Sequence, residues 1–374
     1  METCPTSGSW SMQTVPGSAG FPPRPVGARM PALRTAEPQK RMSFPMATAE
    51  GKRYEVSACR PSQLPELRTL INQVFLTERG GKGDMFEYVP LLYRQTDTAN
   101  LRVVTCAGRI VGHAGICPRP LRWRGQTFQV GLIGGVCCEA GLRGTGVGTL
   151  AMQDAARRTA ELGLDFGVLW TGSVRFYTRL GWRHAGRMTI AHARRTSAPA
   201  SLPVLALRES PFSPDDCHAL HAAAGRNGIV RTVEETRRLF VAPGRDVTVA
   251  AQDGRLAGYA VLVGATVREV EGDAAACSAL LAHAAQNSDV TSVWPFGDAR
   301  LTAIGQALTM DVKTHPLGMM LVVSRERLLA KVERELGRSL ASCGPGDALL
   351  AALFGTPTSP TPPVDVFINY LDHV

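Results

Sequence analysis

Residues 143–149 read Arg-Gly-Thr-Gly-Val-Gly-Thr, between a long apolar run at 127–138 and an alanine-rich, proline-free stretch at 147–163. No other feature constrains the fold as strongly. Alternating glycines let the backbone approach a ligand closely and turn its N–H groups inward. A helix starting directly after them adds the positive end of its dipole, and Arg143 adds a full charge. Together these favour a phosphate or pyrophosphate. A P-loop would need Gly-Lys-Ser/Thr, which is missing. A dinucleotide fingerprint would need G-x-G-x-x-G after a parallel strand. The glycines here are Gly144, Gly146 and Gly148, and the strands before them read as a meander. A plain glycine-rich turn remains the alternative.

The surrounding elements set this turn in a mixed α/β unit over 54–196. A strand at 54–59 precedes a helix at 61–76, in which Leu64, Leu67, Leu70, Ile71 and Val74 recur at helical spacing and Ser62 stands as N-cap. A short second helix is expected within 84–94. The segment 101–123 reads as two strands about Ala107-Gly108-Arg109, and 127–138 as a third, whose glycines mark a bulge or a close backbone approach. The helix at 147–163 ends at Gly163. A buried strand at 165–170 and a short helix running into a last strand at 173–182 follow. The sheet is thus mostly antiparallel rather than a repeated βαβ array.

The block 136–182, VCCEAGLRGTGVGTLAMQDAARRTAELGLDFGVLWTGSVRFYTRLGW, resembles the GCN5-related N-acetyltransferase (GNAT) superfamily. Arg143, Gly146 and Gly148 match its R/Q-x-x-G-x-G/A motif. Phe176, Tyr177, Gly181 and Trp182 match its F-Y-x-x-x-G-F/W element. The resemblance implies acetyl-CoA as co-substrate and no metal. It implies that the backbone of Val136, Cys137 and Cys138 pairs with the pantetheine arm. Arg143, Gly144, Thr145, Gly146, Val147, Gly148 and Thr149 would hold the pyrophosphate. Tyr177 would protonate the departing thiolate; the bland alternative is a half-buried core aromatic. Many relatives carry a carboxylate on the long strand. This chain has Gln129, Gly131, Gly134 and Gly135 there. His113 is then the candidate base, against the alternative of a histidine bonded within the sheet. Glu139 reads as a solvated flank. The segment 110–136 is also similar to aminoglycoside 2'-N-acetyltransferases and to nodulation N-acyltransferases.

After a linker at 192–203, the same element order recurs over 203–325 without the R-x-x-G-x-G loop. The matching turn, Glu269-Val270-Glu271-Gly272-Asp273, is acidic and repels a pyrophosphate. A tandem pair with one degenerate half resembles the enhanced-intracellular-survival type of acetyltransferase, in which the carboxyl terminus reaches the active site as base. Residues 326–374 are too few for the extra domain of that group. They read as a helical extension and a final strand whose apolar end, Val374, is expected to dock into the first unit.

Composition narrows the function classes. The net charge is +9, from 41 basic and 32 acidic side chains, and residues 1–53, with eight prolines, read as a disordered basic tail. No basic run or arginine–aromatic stripe occurs, which argues against nucleic acid as partner. No apolar run reaches about 18 residues, which argues against a membrane. The nine scattered cysteines form no C-x-x-C pair and read as reduced thiols of a cytoplasmic protein. The expectation is an N-acyltransferase acting on an amine of a small molecule or peptide, with an oligomer left open. A non-catalytic acyl-CoA-binding or regulatory module and an aminoacyl-type transferase are the alternatives.

Overall fold

The computed structural model describes residues 48–49, 52–340, 342–344, 346–356 and 362–374. Most of the predicted disordered tail lies outside these residues. Its last part pairs as an antiparallel ribbon of Thr48–Ala49 with Lys52–Ala58, so the first strand begins before residue 54.

Among the described residues, the strands form two sheets. The first runs in the order Thr48–Ala49, Lys52–Ala58, Leu101–Cys106, Arg109–Trp123, Gln126–Cys138, Phe166–Leu169, Gly318–Val322 and Arg183–Ala185. Its neighbours are antiparallel except for Gln126–Cys138 and Phe166–Leu169, which run parallel. The second runs Met310–His315, Met188–Ala193, Val290–Pro295, Thr266–Gly272, Arg255–Val263, Asp246–Gln252 and Val204–Ala206. The fold is mixed α/β with mostly antiparallel strands, as the pattern predicts.

Alternation along Leu101–Cys106 sends Val103 and Val104 to opposite faces of the first sheet, and each face meets its own helix. Leu64–Phe75 turns Leu67, Leu70, Ile71 and Val74 into the layer that holds Val103 and Ile110. Val147–Glu161 packs Val147, Ala151, Met152 and Ala155 against Val104, Val111 and Ile133. Fully burying a Leu or Ile contributes about 1.5–3 kcal/mol, so these stripes, more than the caps, seat the helices. Ser62 is not an N-cap: it lies within a 3-10 turn, Pro61–Gln63, that leads into the first helix. The helix expected in 84–94 is the single turn Met85–Tyr88.

Two strands lie where the sequence does not put them. Met188–Ala193, which falls inside the first unit as bounded at 54–196, sits in the second sheet between Val290–Pro295 and Met310–His315. Gly318–Val322, expected to close the second, sits in the first sheet between Phe166–Leu169 and Arg183–Ala185. Strand patterning specifies a strand and its buried face but not its partner. Two units with the same element order offer equivalent slots, and here they trade the last strand.

The helix Arg325–Leu336 returns to the first sheet. There the buried Asp165 carboxylate accepts from the Gln129 N–H at 2.6 Å and from Lys331 Nζ at 2.6 Å. The helix Asp347–Phe354 follows. The expected final strand is instead one bridge, Phe367 to Gly228, and a 3-10 turn, Tyr370–Asp372. Among the described residues, no helix is long and apolar enough to cross a membrane.

Candidate active site

Leu142 closes a 3-10 turn after the long strand, and the backbone then opens through Gly144 (φ +85°) and Gly146 (φ +94°). Both values lie where an L side chain is strained, so the loop requires glycine at these two places. Thr145 steadies it by donating from Oγ1 to the Leu142 carbonyl at 2.8 Å. Gly146 is the N-cap of Val147–Glu161, and no side chain caps that helix. The first-turn N–H groups of a helix have no partner within it. Here they face outward beside Arg143 as an uncovered anion seat.

The strand leading to this seat has one unpaired edge. Gln126–Cys138 pairs with Arg109–Trp123 from Gln126 to Cys138, but with Phe166–Leu169 only as far as Leu132. Residues 133–138 therefore present free backbone along a notch. A bulge sharpens the divergence: Gly134 and Cys137 face Gly115 and His113, and Gly135 takes φ +62°. The chain beyond the shorter strand forms the short helix Val174–Thr178. Its Phe176 ring lies 3.4 Å from where a Cβ on Gly148 would stand, so this helix reaches the start of the long one. Tyr177 is buried beside it, and burial pushes its hydroxyl up to about 12. The nearby Cys137 adds to the rise. Tyr177 therefore keeps its proton at neutral pH.

His113 lies on the same sheet opposite Cys137 but is enclosed, with no exposed surface. Nδ1 is 2.9 Å from the Arg102 carbonyl oxygen, so Nδ1 carries the proton and donates. Burial lowers the imidazole to about 4, which makes it a weak proton acceptor near neutrality. This is the sheet-bonded histidine, not an open base.

The end of the chain occupies the space in front of the bulge. A Cβ on Gly134 would stand 2.4 Å from the Val374 carbonyl carbon and 2.6 Å from its oxygen. Any side chain at 134, a carboxylate included, would collide with Val374. His373 stacks on Trp170 with ring centroids 3.5 Å apart and 17° between planes.

The second unit has a helix at the matching place, Ala274–Ala284, but its seat is filled. Asp273 caps it, accepting from the Ala276 N–H at 2.8 Å. A carboxylate already sits where an anion would bind. Glu269 and Glu271 are buried in the preceding strand and do not form an open turn.

Residues 55–185 match the family model described as an acetyltransferase (GNAT) domain. This part of the chain is a GNAT domain. No curated protein sequence matches the chain. Among solved structures, a GCN5-related N-acetyltransferase from Anabaena variabilis aligns at 17% identity and TM-score 0.56, covering 75% of each chain. A probable N-acyltransferase from Enterococcus faecalis aligns at 14% and 0.55, covering 75% of each. Eis1 from Mycobacterium abscessus aligns at 15% and 0.53, covering 74% of this chain and 75% of that one. These likenesses extend well beyond the GNAT domain and show a shared fold.

The GNAT domain thus brings the loop, the strand end and Tyr177 together and leaves His113 sealed within the sheet, bonded to the Arg102 carbonyl. It also shows residues with no local signal. Glu78 forms an ion pair with Arg143 from 65 positions away. Tyr93 Oη, buried without a partner, lies 2.1 Å from a Cβ placed on Gly135. Only contacts distant in sequence mark Glu78, Tyr93 and Trp170, so no motif could have found them.

Proposed function

We propose that the chain is an acyl-CoA-dependent N-acyltransferase that moves an acetyl group from acetyl-CoA to a primary amine of a small molecule or peptide, by direct attack in a ternary complex. One observation carries this reading: an unpaired strand edge at 133–138 runs into an uncapped helix N-terminus, with a proton-bearing tyrosine across the notch. The edge offers hydrogen bonds to an extended amide-bearing chain, and the helix start offers N–H groups to a pyrophosphate. In the reaction a C–N bond forms, the thioester C–S bond breaks, and the amine nitrogen gives up a proton. Tyr177 serves the leaving sulfur. A hydroxyl near 12 yields its proton only uphill to a thiolate whose thiol lies near 8.5. Donating a hydrogen bond to the developing charge is therefore the role its burial favours.

Val374 packs on Gly134 with its carbonyl carbon and oxygen nearest, and a carboxylate at that place would be the natural acceptor for the amine proton. Gly134 then reads as the space left for it, and His113 is not the base. The second unit, with its anion seat closed by Asp273, takes no CoA. The free thiols fit a reducing, cytoplasmic setting.

The test is a CoA-release screen of acetyl-CoA with simple amines, amino sugars and peptides, run beside Tyr177→Phe. The variant should lose roughly 10²-fold in turnover while equilibrium binding of acetyl-CoA stays within about twofold. Binding without turnover across the whole screen would instead mark an acyl-CoA-binding module.

A further inference from the structure

The chain end is held at Gly134 from two sides: His373 stacks on Trp170 of the first unit, and the second unit grips the residues before it. Residues 226–231 run between the first sheet and the tail. Gly228 and Ile229 pair with Arg122 and Leu121 on one side, and Val230 N–H donates to the Pro120 carbonyl at 2.9 Å. On the other side, Gly228 bridges to Phe367, whose N–H donates to the Asn227 carbonyl at 2.9 Å. Arg231 comes next. Its side chain is wholly buried, its fork is engaged by Glu269 of the second sheet, and its Nη2 donates to Asp372 Oδ2 at 3.0 Å. Glu269 is held in turn by the Tyr259 hydroxyl at 2.5 Å. Asp372 is two residues from Val374, and a single 3-10 turn, Tyr370–Asp372, leads into it.

Resting on the reading of Val374 given above, we propose that Arg231 is a positioning residue for the acyl transfer. Braced by Glu269, it fixes Asp372 and so presents Val374 at Gly134. Buried ion clusters are poor stabilisers, since desolvation offsets most of their attraction and apolar replacements often serve as well. What a guanidinium fork supplies is direction, because two carboxylates in two places fix its plane. A reacting group two residues away needs that direction: a misplacement of about 1 Å can cost on the order of 10²-fold in rate. Glu269, a buried carboxylate of the degenerate unit, thereby serves the other unit's reaction.

Two measurements on the full chain test this. Amide hydrogen exchange across residues 367–374 needs no acceptor. Asp372→Asn should speed it, while exchange in the Val147–Glu161 helix stays unchanged; an unaltered tail overturns the proposal. Turnover is measured with acetyl-CoA and n-butylamine, together with the fastest amine of the screen. Asp372→Asn should lower kcat roughly tenfold, leave the KM for acetyl-CoA within about twofold, and cost nothing further in a Gly134→Ala background, where Val374 is already displaced. Arg231→Lys, which keeps the charge without the fork, should lower kcat in the same way. Fully additive losses, or a lowered Tm with kcat retained, overturn the proposal. If Gly134→Ala leaves turnover intact, the reading of Val374 fails and this one with it. If Gly134→Ala is impaired while Asp372→Asn is not, only the positioning role fails.

Discussion

At the scale of single residues, Arg143 has a competitor. The guanidinium offered to a pyrophosphate is paired with Glu78 across the loop, and both side chains are partly open to solvent, at 53% and 22% exposure. A pair that open is worth about 0–1 kcal/mol and is screened by salt. Glu78 therefore holds Arg143 near the seat but must be outbid when an anion arrives. Glu78→Gln is expected to tighten acetyl-CoA binding by no more than about fivefold, the equivalent of about 1 kcal/mol. The gain should disappear in high salt. Titration calorimetry at two ionic strengths reads both effects, and weaker binding by the variant would show that Glu78 orients Arg143 instead of competing for it. His113 teaches the complementary lesson. Its position in the strand made it a candidate base, yet only the fold shows that the ring is sealed and bonded to the Arg102 carbonyl.

At the scale of elements, what could be read from the sequence is what is local. The helix predicted at 147–163 is Val147–Glu161, and the strand predicted at 127–138 is Gln126–Cys138, because side-chain period and glycine punctuation act over a few residues. The notch depends on where pairing stops, at Leu132, and no residue letter marks that place. The seat of Val374 depends on partners more than 100 positions away. Gly146 belongs to the legible part and yields a clean prediction. A Cβ there meets nothing within 4 Å, so a substitution acts through the backbone alone. At φ +94°, Gly146→Ala should cost about 1–2 kcal/mol. The helix start would relax away from the anion seat, and the KM for acetyl-CoA should rise several-fold with kcat little changed. Gly141→Ala, also in open space but without a left-handed backbone, is the control and should leave both constants unaltered. Equal effects of the two would mean that loop conformation does not set binding.

At the scale of the molecule, the exchanged strands make the two units one folding problem. Without Gly318–Val322, the first sheet would expose an unpaired edge along Phe166–Leu169 and lose the connection to Arg183–Ala185. Without Met188–Ala193, the second would lose the strand joining Val290–Pro295 to Met310–His315. Open edges of this length invite association with other chains. The recurrence of element order reads as two tandem units, and each unit's last strand is supplied by the other's stretch of sequence. Unfolding should therefore be a single cooperative transition in calorimetry, although a chain with two sheets would ordinarily be expected to melt in two steps. A fragment spanning 52–200 retains the loop, the notch and Tyr177 but lacks the strand that closes its sheet. It should be insoluble or unfolded and fail to bind acetyl-CoA. Adding residues 316–323 as a free peptide should recover little, because the strand arrives in the native chain with the helix Arg325–Leu336 and its Lys331–Asp165 pair already attached. A soluble 52–200 fragment with full acetyl-CoA affinity, or two resolved calorimetric transitions in the intact chain, would show that the exchange is incidental to folding.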